Sequence, residues 1–377
     1  MSLGPNQPLI GRPGGRALLA TPALILDLDR LERNIATMAT FARAAGMALK
    51  PHAKTHKSAH VAALQLAAGA VGLTCATLGE AEALAPHVAA PLLITAPVIG
   101  TGAIARLHAL ARRSPGLAVV VDHPANLAGI AQAFTAQPLT VFVDIDPGLH
   151  RTGVASLADA VALARAVAAS PTLHFGGVQF FSGPSQHIER YEARRSDVAA
   201  KTHYLASIVE ALRNAGLPPP VVTGGGTGTH ALDAEFGVMT ELQAGSYVFM
   251  DDQYSACGLR PGDTNPFDTA LMIDTRVISA NWPALATVDA GLKASTGSSQ
   301  PPTPIAGVPE GTRYEYRGDE YGALLLPPGK PTLPLGAVVT LATPHCDPTV
   351  NLHNVYHVVR GDTLIDIWPI TARGRSA

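Results

Sequence analysis

Between residues 24 and 247 short apolar runs recur about eight times, with alanine-rich stretches of helical spacing between most of them. The runs cover residues 48–49, 71–73, 91–94, 117–121, 141–143, 175–178, 221–222 and Leu242. Before them, Leu31, Ile35, Met38 and Ala42 recur at the period of a helix face, which predicts an amphipathic helix over 29–45. Continuous apolar strands covered by helices form parallel sheets buried on both faces. Eight strand–helix units in roughly 220 residues match the size of an α/β (β/α)8 TIM barrel. A doubly wound open sheet is the competing architecture, but no Gly-x-Gly-x-x-Gly follows the first strand. After about residue 255 helical periodicity stops, proline and glycine become frequent, and short β-like runs appear at 270–273, 286–288, 337–340 and 355–359. The expected division is an N-terminal strand segment over 1–27 packed on the β domain, a barrel over 28–255, and a C-terminal, mostly-β domain over 256–377.

The chain has 377 residues, of which 47% are hydrophobic, enough for two domains of unequal size with a large core. A net charge of −2 gives no electrostatic reason for nucleic acid or an anionic membrane surface as partner. Cys75, Cys257 and Cys346 are odd in number and far apart, so no disulfide framework is implied and a reducing compartment is expected. Arg12 and Arg16 precede an apolar stretch that loosely mimics a signal peptide, but Pro22 interrupts it and Asp27 leads straight into the first helix. No stretch reaches the roughly 18 apolar residues that span a bilayer. A soluble, cytoplasmic protein is the expectation.

The chemistry concentrates at the ends of the strands. Pro51-His52-Ala53-Lys54-Thr55-His56-Lys57 follows the first barrel strand. A lysine there, crowded by a second lysine and two imidazoles, has reason to lose its proton, since like charge and partial burial disfavour the ammonium form. A neutral lysine is what Schiff-base chemistry with a carbonyl cofactor requires. The glycine-rich run 223–229 and the segment 243–247 follow the seventh and eighth barrel strands, where barrels commonly build a phosphate site. Hydroxyls of Thr227, Ser246 and Tyr247 add donors there.

His345 and Asp347 end the run 338–342. Two residues apart on a strand they point the same way and can share a metal. Imidazole plus carboxylate favours Mn²⁺ or Mg²⁺, with Zn²⁺ or Ca²⁺ left open. Arg151 lies beyond the fifth barrel strand, where its fixed charge can hold a phenolate or a ring nitrogen. His187, after the sixth, has the residue type of a general base.

These residues resemble the fold-type III pyridoxal phosphate enzymes, the alanine racemase-like barrel plus β domain, and within them the D-threonine aldolase and D-serine dehydratase group. The resemblance runs from Thr21 to about Gly374. It is carried by the Pro-His-Ala-Lys-Thr-His-Lys run, Gly224-Gly225-Gly226-Thr227-Gly228, Glu241-Leu242-Gln243-Ala244-Gly245-Ser246-Tyr247 and His345-Cys346-Asp347-Pro348-Thr349. It implies that Lys54 carries pyridoxal 5'-phosphate as a Schiff base, that Thr227, Gly245 and Ser246 bind its phosphate, and that Arg151 sits beside its ring. It further implies a divalent metal on His345 and Asp347, His187 as catalytic base, and a homodimer.

The substrate would be a small D-β-hydroxy-α-amino acid, cleaved by retro-aldol chemistry to glycine and an aldehyde. The alternative is dehydratase-like β-elimination of D-serine or D-threo-3-hydroxyaspartate to a keto acid and ammonia. In the dehydratases the second metal ligand is usually cysteine, so Asp347 favours the aldolase branch. Phe181 stands where these aldolases usually carry a tyrosine beside the cofactor, and the segment 74–80 lacks their glutamine.

Overall fold

The computed structural model describes residues 4–296 and 300–377, so residues 1–3 of the expected N-terminal segment lie outside it. Strand β1 (Ala23–Asp27) comes first. The barrel strands follow as β2 (Ala48–Leu49), β3 (Leu73–Cys75), β4 (Leu92–Ile94) and β5 (Ala118–Val121), then β6 (Leu139–Ile145), β7 (Leu173–Phe180), β8 (Val221–Gly224) and β9 (Glu241–Leu242). Every apolar run noted above coincides with or overlaps one of these eight. One helix fills each connection from β1 to β9: α1 (Leu28–Ala44), α2 (Ala59–Ala67), α3 (Leu78–Leu84), α4 (Thr101–Ala111), α5 (Pro124–Ala133), α6 (Leu157–Ala169), α7 (Tyr191–Asn214) and α8 (His230–Phe236).

The sheet is parallel throughout, in the order β2-β9-β8-β7-β6-β5-β4-β3. Its two ends meet through the parallel bridge between His52 and Thr74, with Val71 N–H donating to Leu49 O at 2.9 Å. The barrel is therefore closed, and its seam runs through the segment that leads into Lys54.

Local chemistry fixes where each helix starts. The Asp27 carboxylate accepts the Arg30 N–H at 3.0 Å and caps α1, and Ser58, Thr77 and Ser156 cap α2, α3 and α6 in the same manner. Such a cap is worth about 1 kcal/mol. The inner face of α1, Leu31, Ile35, Met38 and Ala42, is buried. Each large side chain among them contributes about 1.5–3 kcal/mol by leaving water. Short capped connections leave little slack at the C-terminal mouth of the barrel, which is where a site needs rigid support.

The chain continues through the one-turn α9 (Asp252–Ser255) into β10 (Leu271–Trp282), β11 (Leu285–Val288), β12 (Thr303–Ala306), β13 (Arg313–Tyr316), β14 (Gly322–Leu325) and β15 (Val338–Ala342). The short α10 (Cys346–Val350) precedes β16 (Val355–Arg360) and β17 (Thr363–Pro369). The first half of β10 pairs with β1 and β15, and its second half with β11. Strand β1 also runs parallel to β16, and Arg16 pairs with Asp274 at 2.8 Å, so the segment before the barrel is built into the β sheet. Among the described residues no helix is long and apolar enough to cross a membrane.

One expectation about this region fails. His345 and Asp347 do not continue a strand, because β15 stops at Ala342 and Pro344 cannot extend a central ladder. His345 is instead the N-cap of α10 and Asp347 lies in its first turn, where Pro348 is tolerated. The two side chains are brought near each other by a helix start rather than by strand alternation.

Candidate active site

The seam of the barrel presents Lys54. Ala53 N–H donates to Thr74 O at 2.8 Å, and His52 N–H donates to Ala244 O at 3.2 Å, so the two preceding residues are tied to opposite sides of the closure. The Lys54 ammonium lies 3.4 Å from Asp347 Oδ2 and 5.9 Å from the centre of the Phe181 ring. The Arg151 guanidinium lies 5.6 Å from the same ring centre and makes no ion pair among the described residues. A cavity of about 260 Å³ opens between them, lined by Lys54, Arg151, Phe181, Thr95, Gln179 and Gln243. That is just below the usual range for drug-sized ligands and suits a small cofactor.

The reason given above for a neutral lysine needs revision. Lys57 turns away to Glu80, 3.2 Å distant, and does not crowd Lys54. Burial, aided by the Lys54 charge, pushes the His52 imidazole down to about 3, and burial pushes His56 down to about 4. Both rings are neutral near pH 7 and add no positive charge. The charge that meets Lys54 is the Asp347 carboxylate.

The floor of the cavity is polar, which the apolar strand runs did not announce. Gln179 donates to Asp144 Oδ1 at 2.9 Å and to Thr95 O at 3.2 Å, while Gln243 donates to Gln179 Oε1 at 3.2 Å and to Thr223 Oγ1 at 3.0 Å. Burial raises the Asp144 carboxyl to about 6 against hydrogen bonds from Gln179 and Thr152.

The loops after β8 and β9 meet beside the lysine. Thr227 Oγ1 accepts the Tyr247 N–H at 2.9 Å and joins the two loops. The N–H groups of Thr227, Gly245 and Ser246 donate to no acceptor among the described residues. Gly225 takes φ 64°, and a Cβ there would stand 2.1 Å from Asp233 Oδ2. A Cβ on Gly245 would stand 2.9 Å from both His52 O and Thr55 Oγ1. Free donors at close-packed glycine turns make an anion cradle, so these loops fit the phosphate of a cofactor held on Lys54. Tyr247 contributes its backbone only. Its buried hydroxyl accepts from Gln65 at 3.0 Å, so it is not the added donor for a phosphate that the sequence suggested. Ser246 lends its side chain to the Tyr254 hydroxyl.

The His187 ring packs against Tyr254, tilted by 48° with centroids 4.6 Å apart, and stands 6.5 Å from the His345 ring. Burial lowers the His187 imidazole, so it is neutral and able to accept a proton near pH 7. Burial works to lower the His345 imidazole, but Asp251 and Asp347 outweigh it and raise it. Burial likewise works to raise Asp347, and the charges of Lys54 and His345 hold it below the usual carboxylate range. Asp347 Oδ1 is buried without a hydrogen-bond partner, and His345 Nδ1 faces only the Asp251 carboxylate, 3.4 Å away. An unpartnered carboxylate oxygen beside an imidazole fits a cation. Among the described residues no three His, Cys, Asp or Glu side chains converge on one point, so any ion would draw its remaining ligands from water or substrate. Cys346 between them is fully buried, and burial pushes its thiol up.

Sequence reasoning missed Asp251, Tyr254, Thr95 and the two lumen glutamines. Asp251 is fully buried, accepts the Cys346 N–H at 2.9 Å, and lies 3.4 Å from His345 Nδ1. The one local signal for it is its place as N-cap of α9.

A lysine offered at the seam of a parallel barrel, with free N–H donors in the last two loops, is the layout of an alanine racemase-like enzyme that carries pyridoxal phosphate. Residues 26–253 match the family described as alanine racemase, N-terminal domain, and residues 270–359 match the putative serine dehydratase domain. The chain belongs to this alanine racemase-like family. It is 38% identical to a 3-hydroxy-D-aspartate aldolase of Paracoccus denitrificans (strain Pd 1222), over 95% of this chain and 93% of that protein. It is 39% identical to a D-threonine aldolase of an Arthrobacter species, over 99% of this chain and 96% of that protein. The crystal structure of D-threonine aldolase from Filomicrobium marinum superposes with a TM-score of 0.91 at 38% identity, covering 96% of this chain and 98% of that one.

Proposed function

We propose that the protein is a pyridoxal phosphate- and divalent metal-dependent lyase that cleaves D-β-hydroxy-α-amino acids to glycine and an aldehyde. The observation that carries this reading is the approach of Asp347 to within 3.4 Å of Lys54, with His345 and His187 beside it. Racemisation gives an imidazole–carboxylate pair next to the lysine no task, whereas a β-hydroxyl group does. The full-length similarity to the aldolases named above supports the same conclusion.

Each residue then has a role. Thr227, Gly245 and Ser246 offer N–H donors to the cofactor's phosphate, and Arg151 stands where it can pair with a phenolate oxygen. The cofactor supplies an electron sink for the carbon released from Cβ. His345 and Asp347 would hold a divalent ion, whose charge lowers the pKa of a neighbouring hydroxyl. The donor set favours Mn²⁺ or Mg²⁺. His187, neutral through burial, takes the proton of the substrate's β-hydroxyl as the Cα–Cβ bond breaks. Lys54 returns a proton to Cα, which gives glycine.

A second reading is β-elimination, in which Lys54 takes the Cα proton, the β-hydroxyl leaves as water, and hydrolysis of the resulting enamine gives a keto acid and ammonia. It draws on the cavity wall at Ala76, which lacks an amide side chain. We further take the barrel, 28–255, as the cofactor-binding unit and 256–377 as the unit that carries the metal ligands. Three buried, unpaired cysteines favour the cytoplasm, and the family resemblance is the ground for expecting a homodimer.

The test of the proton route is His187→Ala. The variant is expected to keep the cofactor's absorbance and to lose cleavage of D-threonine. Full activity would remove His187 from the reaction.

A further inference from the structure

Lys57, the second lysine of the Pro-His-Ala-Lys-Thr-His-Lys run, has no part in the chemistry above. It is nevertheless buried, with 8% of its surface exposed, in left-handed backbone at φ 49°. Both features are costly for a lysine and need compensation from fixed partners. Its ammonium lies 3.2 Å from Glu80 Oε1 and donates to Asn351 Oδ1 at 3.1 Å.

These partners lead in two directions. On the barrel side, Glu80 Oε2 accepts the Ala76 N–H at 2.7 Å, and Ala76 lines the cavity around Lys54. On the β-domain side, Asn351 is the C-cap of α10, the helix whose start carries His345 and Asp347. The Asn351 oxygen also accepts the Gly374 N–H at 3.0 Å, and the Lys57 carbonyl accepts the Ala372 N–H at 2.9 Å. A helix of five residues has almost no stability of its own, so its ends must be held from outside. Asp251 holds the first turn through the Cys346 N–H, and Lys57 reaches the other end.

We propose that Lys57 is a positioning residue whose ammonium ties the cavity wall at Ala76 to the far end of α10 and so keeps His345 and Asp347 in register with Lys54. The inference rests on the reading of His345 and Asp347 as ligands of a divalent ion. Outer partners that orient metal ligands are worth about 10–100-fold in metal affinity.

The experiment compares Lys57→Met/Glu80→Gln, which removes both buried charges together, with Asn351→Ala, which keeps both charges and cuts the arm to α10 together with the bond from Gly374 N–H. His345→Ala is the control. Manganese is titrated into each cofactor-loaded protein, free Mn²⁺ is read from its paramagnetic resonance signal, and the cofactor's absorbance and thermal melting are recorded alongside. Both latch variants are expected to bind Mn²⁺ about tenfold or more weakly with cofactor absorbance unchanged. A purely structural ion pair would shift melting and leave Mn²⁺ affinity of the folded protein at the wild-type value, and that result overturns the proposal. Should the double variant fail to fold, Asn351→Ala decides alone. Loss of Mn²⁺ in His345→Ala with retention in the latch variants refutes the latch only. Retention in His345→Ala refutes the metal reading, and the latch falls with it.

Discussion

Gly245→Ala is the smallest change that should separate the two loops of the phosphate cradle from the lysine segment. The added Cβ would stand 2.9 Å from His52 O, 2.9 Å from Thr55 Oγ1 and 3.1 Å from His52 Cβ. Ordinary contact lies at about 3.5–4.0 Å, so the methyl is roughly half an ångström too close on two sides. One of those sides is a backbone carbonyl one residue before the seam at Ala53, and it cannot swing aside as a side chain can. Glycine here has φ −121°, so the strain is one of space and not of backbone handedness. Overpacking of this kind costs about 1–3 kcal/mol. Relief comes from pushing the loop outward, which carries the Gly245 and Ser246 N–H groups off their positions. Charged entirely to cofactor affinity, that cost is about 5–150-fold. The assay strips the cofactor, follows its rebinding by absorbance, and records melting of the stripped protein to apportion the effect. Wild-type affinity in this variant would mean that Gly245 does not border the cofactor.

Acid stability offers an independent prediction. Burial lowers the His230 imidazole to about 4, so between pH 6.5 and about 4 the unfolded chain takes up a proton that the folded chain refuses, and stability falls as pH falls. The gap corresponds to about 3 kcal/mol. His230→Gln should lose that slope. Asp233, raised to about 7 by burial, acts in the opposite sense but is common to both proteins. Denaturant curves at pH 7 and pH 4 should therefore show a wild-type-minus-variant stability difference that drops by roughly 2–3 kcal/mol, and a pH-independent difference would contradict the assignment. Chelation makes a third prediction: removing divalent ions should abolish cleavage while the cofactor stays bound, and added Mn²⁺ should restore it. Cleavage that persists after exhaustive chelation would exclude a metal role for His345 and Asp347.

Much of this fold could be read directly from the chain. A strand buried on both faces announces itself as an unbroken apolar run, as at Ala118–Val121, and needs no partner to be recognised. Among the strands that escaped notice is the short edge β12, whose residues are mostly exposed and carry no alternation. Lys54 was legible because a lysine among imidazoles at a strand end is chemically conspicuous. Its environment was not, since the fate of Lys57 depends on Glu80 and Asn351, far off in sequence. Asp251 shows the same limit: its contact with Cys346 spans 95 residues, and nothing around Met250 and Asp252 foretells it. The lumen glutamines were invisible for a related reason, because single polar residues at the ends of apolar runs take their meaning from neighbours on other strands. For His345 and Asp347 the residue types were informative while the geometry assumed for them was not. Pro344 was the overlooked signal.

The most direct measurement is the product pair. The purified protein, loaded with pyridoxal phosphate and Mn²⁺, is incubated with D-threonine and with D-3-hydroxyaspartate, and glycine and ammonia are assayed in the same samples. Glycine equal to the substrate consumed, with the matching aldehyde and no ammonia, is the predicted result. Ammonia with a keto acid and no glycine would contradict the account and identify the site as one that eliminates rather than cleaves.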